Sequence, residues 1–342
     1  MSKMDPLDHP LGGCSPGKWV TIIELLWGET PKGRLLNGES ASELNHEAYF
    51  QYYHQQCSLM ALHGGGQYVT VNTLSDVHHI VQMLKQHMSR HDIVAAIKGG
   101  HPVVHEEFCE YSVNFTVRLL LMLRFGHVKY EVLPRRCLTW TDGSLAEFVA
   151  AHFNAVPILS TERIRLQKSF DAWSLNAIAG ITIEWTDNLA DHLLLVDDDT
   201  KLLIFHHASF LEHQWNSVFF PQGLVAETLQ TLALLFPQSE FSSPHSSKKG
   251  KHKRVIRCGN LRADARQIEK FRFWRDRLIV LKQTYDDATP STISQWWHDR
   301  RNGVQWYTFW VAILILIIST TLGIVQCVEG ALQVYLGYRQ VG

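Results

Sequence analysis

From Trp306 to Val325 the chain reads WYTFWVAILILIISTTLGIV, twenty residues without a charge. As a helix, such a run spans about 30 Å, the hydrocarbon thickness of a bilayer. The sequence therefore predicts one transmembrane helix over residues 304–326, with every other segment accommodated outside the lipid. Trp306, Tyr307 and Trp310 stand where aromatic rings favour the headgroup layer, with Val325 at the far end of the span. Thr308, Ser319, Thr320 and Thr321 are able to return hydrogen bonds to carbonyls of their own helix. No second segment qualifies, since the apolar run Leu119–Leu123 is short and flanked by Arg118 and Arg124.

Arg300 and Arg301 precede the span and only Arg339 follows it, so the positive-inside rule places residues 1–303 in the cytosol. The opening MSKMDPLDHPLGGCSPG has no apolar core of the kind a secretory signal needs. A hydrophobic segment so near the C-terminus predicts insertion after translation, as in tail-anchored proteins, with the endoplasmic reticulum or plasma membrane as the expected address. The six cysteines are dispersed without a CxxC pair, in keeping with a reducing compartment. Ser319, Gly323, Cys327 and Ala331 recur every four residues, a stripe of small side chains along which a second helix could approach. Homo-oligomerisation through this helix is thus an expectation.

The net charge of −1 and the mean hydropathy of −0.09 are averages over unlike segments. Residues 141–240 hold 4 Lys and Arg against 13 Asp and Glu, whereas residues 241–285 hold 13 against 3. An acidic block, −9, is followed by a basic one, +10, which makes contact between the two an expectation. Within the basic block, SEFSSPHSSKKGKHKRVIR reads as a flexible linker over residues 239–262. Its cationic stretch Lys248–Arg257 would be drawn to anionic lipids at about 1 kcal/mol per basic residue.

Residues 1–70, rich in Gly, Pro and His, read as irregular with one or two strands. Residues 71–238 read as an α+β cytosolic domain. Helical spacing is present in Leu74, Val77, Val81 and Leu84, over Val117–Phe125, over Ser144–Phe153, over Arg163–Ala179 and over Gly223–Phe236. Ile181–Trp185 alternates like a strand, and Lys201–Phe205 reads as a buried one after the turn Asp197-Asp198-Asp199-Thr200. Helices around a small sheet define the class, with a winged-helix order as one version. Gln267, Phe271, Trp274, Leu278, Leu281 and Tyr285 alternate steps of four and three, predicting an amphipathic helical stalk over 263–303 that packs against another helix or a second copy. A short tail, 327–342, follows the membrane span.

Residues 274–320, including SQWWHDRRNGVQWYTFWVA, resemble a large set of uncharacterised filamentous-fungal proteins that end in one membrane helix. The resemblance extends to AGITIEWTDNLADHLLL (179–195), IFHHASFLEHQ (204–214) and FFPQGLVAETLQTLALLFPQ (219–238), and covers roughly residues 110–340. It implies a fungal source and a membrane address, and it brings no catalytic residue with it. The long helix before the membrane is also loosely similar to magnesium channels of the CorA type. Those have two membrane helices and a Gly-Met-Asn signature, where this chain has one and reads Gly323-Ile324-Val325-Gln326. A degenerate transporter subunit is the reading this likeness implies.

Candidate chemistry is sparse. Gly13-Cys14-Ser15-Pro16-Gly17 matches G-x-S-x-G, and His63-Gly64-Gly65-Gly66 resembles an esterase oxyanion loop. The first lacks a preceding strand and is broken by Pro16, and the two stand in the wrong order. His101 and His105 are spaced to share a helical face, but Pro102 occupies the place of a zincin's glutamate. Asp187, Asp191, His192, His206 and His207, with His213 beyond, concentrate metal-ligating side chains around the strands. Caps, turns and strand ends explain the same residues without a metal. No phosphate-binding glycine motif is present, and a charge of −9 on residues 141–240 repels nucleic acid. The reading is a single-pass protein with a cytosolic interaction or regulatory domain and no cofactor, its alternative a membrane-bound metal-dependent enzyme using the 187–213 group.

Overall fold

The computed structural model of the chain describes residues 10–11, 16–28, 46–62, 70–126, 137–154, 158–159, 164–237, 261–289, 295, 297 and 303–341. The fold is mostly helical with a small three-stranded mixed sheet and one long apolar C-terminal helix. Helices α1 (Trp19–Trp27), α2 (Glu47–Leu62), α3 (Leu74–Lys85), α4 (Arg90–Gly100) and α5 (Glu106–Leu121) come first, followed by α6 (Leu145–Phe153) and α7 (Ala172–Ala177). Strands β1 (Thr182–Thr186), β2 (Leu194–Val196) and β3 (Lys201–Phe205) come next, then α8 (Ala208–His213), α9 (Leu224–Leu235), α10 (Arg275–Asp287) and α11 (Gly303–Val341).

The N-terminal region is not irregular where it is described. Helix α1 buries Ile22, Ile23, Leu25 and Leu26, and α2 buries Tyr49, Phe50, Tyr53 and Cys57. Tyr49, Tyr53 and Cys57 fall four apart and Phe50 precedes Tyr53 by three, a helical period disguised by intervening Gln and His. The tyrosines are amphipathic core residues: Tyr49 Oη donates to the Leu119 carbonyl at 2.9 Å, Tyr52 Oη to Arg118 at 3.1 Å, and Tyr53 Oη to Leu11 at 3.3 Å. Residues Leu11 to Tyr285 consequently contribute to one hydrophobic core.

Helix starts follow their capping chemistry. Thr73 and Asp76 close a reciprocal capping box on α3, and Ser144 and Glu147 do the same on α6. Helix α5 begins earlier than the apolar run alone indicated and ends at Leu121, with Met122 in the left-handed conformation as its cap. The expected helix over 163–179 shrinks to α7, because Asp171 caps it by accepting the Ser174 N–H at 2.7 Å.

The sheet order is β1-β3-β2, with β1 parallel to β3 and β2 antiparallel to it. Between β1 and β2 stands a 3-10 turn, Leu189–Asp191, and the sheet follows helices α6 and α7. The Asp197–Asp199 corner has three residues at positive φ, and Lys201 Nζ reaches Asp197 at 2.7 Å and Glu184 at 3.2 Å across it.

The expected stalk belongs to the domain. Two 3-10 turns, Ala263–Arg266 and Ile268–Lys270, precede α10, and Ile268, Phe271, Trp274, Leu278, Leu281 and Tyr285 are all buried in the core. An amphipathic period reports that one face is covered, not what covers it; here the chain's own α9, the Ala190–His192 turn, Phe153 and Phe170 do. Contact between the acidic and basic blocks is present, built by hydrogen bonds to backbone. Trp274 and Arg272 N–H groups meet Glu227, Arg277 meets the Ala190 carbonyl, and Asp276 Oδ2 accepts the Ile158 N–H.

Helix α11 runs 39 residues to Val341, so residues 327–341 continue the helix. The stretch Trp306–Gly337 is long and apolar enough to cross a membrane, and none of its most apolar window is buried against the domain. The hydroxyls of Thr308, Thr320 and Thr321 donate to the carbonyls of Val304, Leu316 and Ile317, each at 2.8 Å. Arg300, Arg301, the Lys248–Arg257 stretch, Cys14 with its neighbours, and His63–Gly66 lie outside the described residues.

Candidate functional site

The parallel register that ends Trp185↔Ile204, Thr186↔Phe205 brings the two following residues to one edge of the sheet. Asp187 leaves β1 there, and His206 and His207 leave β3. In open sheets the carboxyl ends of parallel strands are where ligands are held, because the chain turns away and exposes side chains together. One donor atom from each of Asp187, His206 and His207 lies within 4.8 Å of the others.

Neighbouring groups hold each member. The turn after β1 is fixed by Asn188, whose Oδ1 accepts the backbone N–H groups of Arg124 at 3.1 Å and Ala190 at 3.3 Å. The Leu189 N–H donates to the Met122 carbonyl at 3.0 Å, which ties the same turn to the end of α5. The His206 ring leans on Trp185 at 5.6 Å between centroids and on His207 at 4.0 Å. His207 is enclosed by Phe205 and Tyr52 and donates Nε2–H to Asp187 Oδ1 at 2.6 Å. Its side chain is 2% exposed and that of Asp187 is 42% exposed, so the cluster is closed on the histidine side and open on the carboxylate side.

His192 and Asp191, grouped with these residues by sequence, are placed elsewhere. His192 is fully buried, with Nδ1 accepting the Phe205 N–H at 3.2 Å and Nε2 paired with Thr231 Oγ1 at 2.7 Å. Thr231 already donates to the Thr228 carbonyl, so it accepts from His192, and the imidazole is neutral with both nitrogens used. Burial, and secondarily Arg277, pushes its pKa down to about 3. Such a residue is a core polar network, not a ligand. Asp191 is buried in the 3-10 turn and outside the three-residue group.

His213 stacks on Trp27 at 5.2 Å and approaches His46 at 5.1 Å. Burial, then His46, lowers its pKa to about 4, while burial raises that of the adjacent Glu212 to about 7. His101 and His105 cap successive helices, α4 and α5, and share no helical face. An open groove of about 720 Å³ lies between α4, α6 and the 218–221 loop and shares no residue with the Asp–His cluster. Its polar lining, Ser89, Asp92, Ser144 and Glu147, is occupied in capping α4 and α6.

The small-residue stripe of α11 is open. Ser319, Cys327 and Ala331 are exposed on α11, and a Cβ added at Gly323 would meet nothing within 4 Å. Sequence reasoning missed the clasp between α9 and the segment before α10, formed by Glu227, Thr228, Trp274 and Arg277. A readable trace exists in α9, where Glu227, Thr228 and Thr231 put three polar residues on one side of an otherwise apolar helix. No protein-family model, curated protein or solved structure matches the chain. The fold and site define a helical α+β domain that carries one membrane-spanning candidate helix.

Proposed function

We propose that this chain is a single-pass membrane protein that presents its α+β domain on the cytosolic face as an interaction or regulatory module. The observation that carries this reading is the Trp306–Gly337 stretch, long and apolar enough to cross a membrane, with none of its most apolar window buried against the domain. Ile315, Leu316 and Ile317 are each more than half exposed, a state that lipid relieves and water penalises. Lys282 and α10 belong to the folded domain, so residues 288–302 alone separate it from α11. Fifteen residues reach at most about 50 Å, which holds the domain close to the bilayer surface. The Lys248–Arg257 stretch adds charge attraction to anionic lipid, and the open Ser319–Gly323–Cys327–Ala331 face admits a second copy of the helix. The likeness of residues 274–320 to fungal proteins that end in one membrane helix accords with the same assignment.

The test is carbonate extraction of membranes from cells expressing the chain. The wild type stays in the pellet, and Leu314→Arg/Ile318→Arg, at about 2.5–3.5 kcal/mol per arginine, moves to the supernatant. A protease added outside sealed vesicles digests the domain if it is cytosolic. Wild-type protein in the carbonate supernatant defeats the membrane assignment, and a protected domain reverses the topology.

A further inference from the structure

We propose that Asp187, His206 and His207 form a binding site for a divalent transition-metal ion, with zinc the best match to their donors. The site is assembled by tertiary structure: the parallel β1–β3 register, Thr186↔Phe205, sets residue 187 beside residues 206 and 207. One donor atom from each residue already lies within 4.8 Å of the other two. Ligands on a tetrahedral zinc, at about 2.0–2.1 Å from the metal, stand about 3.3 Å apart, so closing around an ion requires side-chain rotation and no backbone rearrangement.

A second observation points at a ligand independently of proximity. His207 is 2% exposed in its side chain, and its Nδ1 is buried without a hydrogen-bond partner, while Nε2 is held by Asp187. A histidine whose only function is an ion pair with Asp187 leaves that second nitrogen unsatisfied inside the protein, which is costly. A metal ion supplies the missing partner once the ring turns Nδ1 towards it, and Asp187 then leaves Nε2–H to become the ion's carboxylate ligand.

The donor set selects the ion class. Two imidazoles and one carboxylate suit zinc and its transition-metal neighbours. Calcium and magnesium ask for six or more oxygens, and the cluster offers one carboxylate. Asp187 supplies negative charge, and its 42% exposure leaves a solvent-reached side on which water or another ligand completes the coordination. Neither His192 nor His213 belongs to the group, since the first has both nitrogens hydrogen-bonded and the second packs on Trp27.

The test uses the full chain in detergent without a histidine tag, stripped with a chelator and dialysed against zinc chloride. One zinc per chain is expected by elemental analysis, with cobalt(II) giving the intense visible absorption of a low-symmetry site. His206→Ala and His207→Gln are expected to lose both signals, Asp187→Asn to weaken affinity about 10–100-fold, and His91→Ala to change nothing. Because substituting buried histidines can disturb folding, zinc X-ray absorption on the wild type provides a measurement free of variants: two imidazole scattering shells are expected. Wild-type protein that binds no zinc, a spectrum without imidazole, or retention of one zinc by a folded His206→Ala/His207→Gln chain would overturn the site. Unchanged affinity in Asp187→Asn would remove Asp187 from it and overturn the three-residue assignment.

Discussion

The carboxylate of Glu227, inside α9, accepts the backbone N–H of Trp274 at 2.8 Å. Its other oxygen accepts the N–H of Arg272, also at 2.8 Å, and the indole N–H of Trp274 reaches Thr228 Oγ1 at 2.9 Å. One helical turn of α9 thus fixes the chain at the point where it enters α10, upstream of α11. Burial raises the Glu227 pKa, and the hydrogen bonds from Trp274 and Arg272 oppose that rise.

Replacing Glu227 with Ala leaves two N–H groups in the interior without an acceptor, at about 1–3 kcal/mol each. The expected loss of stability is about 2–4 kcal/mol, read from urea unfolding of the full chain in mild detergent by tryptophan fluorescence. Glu227→Gln, which keeps one acceptor oxygen, is expected to lose about half as much. A change below about 0.5 kcal/mol in Glu227→Ala would show that the clasp does not stabilise the domain.

Gly126 has φ +69°, and a Cβ built there would come 2.6 Å from Asn114 Nδ2. Asn114 Oδ1 in turn accepts from Arg90 Nη1 at 2.9 Å, and the Arg90 guanidinium lies over Trp140. Gly126→Ala is therefore expected to cost about 1–2 kcal/mol for the left-handed backbone, plus the displaced Arg90–Asn114 bond. Adding Asn114→Ala removes the clash, so the double variant should cost less than the two single changes together. Additive effects would count against steric coupling of the two positions.

Much of the domain was legible because period and capping are local. Leu224, Thr228, Leu232 and Leu235 announce α9, and the alternation at Ile181–Trp185 announces β1. Two features were not. Helix α2 hides its period behind aromatic and polar residues, and the Gln267–Tyr285 stripe is amphipathic without naming its partner. At the site, composition drew Asp191 and His192 together with Asp187, His206 and His207. Which of them share an edge depends on the β1–β3 pairing, a contact between segments nineteen residues apart, and on the 3-10 turn that sends His192 inward. Neither is encoded in the spacing of the ligands themselves.

Arg277 links that turn to the clasp. Its Nη1 donates to the carbonyls of Ala190, at 2.8 Å, and of His192, and its guanidinium sits 5.2 Å above the Trp274 ring. Lysine lacks the planar fork that serves two acceptors while stacking on an aromatic face. Arg277→Lys is expected to lose about 1–2 kcal/mol, and amide exchange at Leu189–His192 should accelerate more than exchange in α3. Uniform acceleration, or none, would separate Arg277 from the turn.

Acid sensitivity follows from His192 and His213. Their pKa values in the folded chain, about 3 and about 4, lie below the ordinary 6.5, so the unfolded chain takes up protons first as pH falls. The stability they permit is complete above pH 6.5 and declines below it, down to about pH 4 for His213 and about pH 3 for His192. Glu212 acts in the opposite sense: with its pKa raised from 4.5 to about 7, its contribution is present below pH 4.5 and is lost as pH rises through 7. Between pH 6.5 and 4.5 the two histidines outweigh Glu212, so these three groups together make stability fall with acid. His192→Gln keeps a donor for Thr231 and an acceptor for Phe205 but cannot protonate. Between pH 6.5 and pH 5 it is expected to lose about 2 kcal/mol less than the wild type, measured by urea unfolding at both pH values. Parallel pH profiles for the two proteins would mean that His192 is protonated, or solvated, inside the folded domain, contrary to its two internal hydrogen bonds.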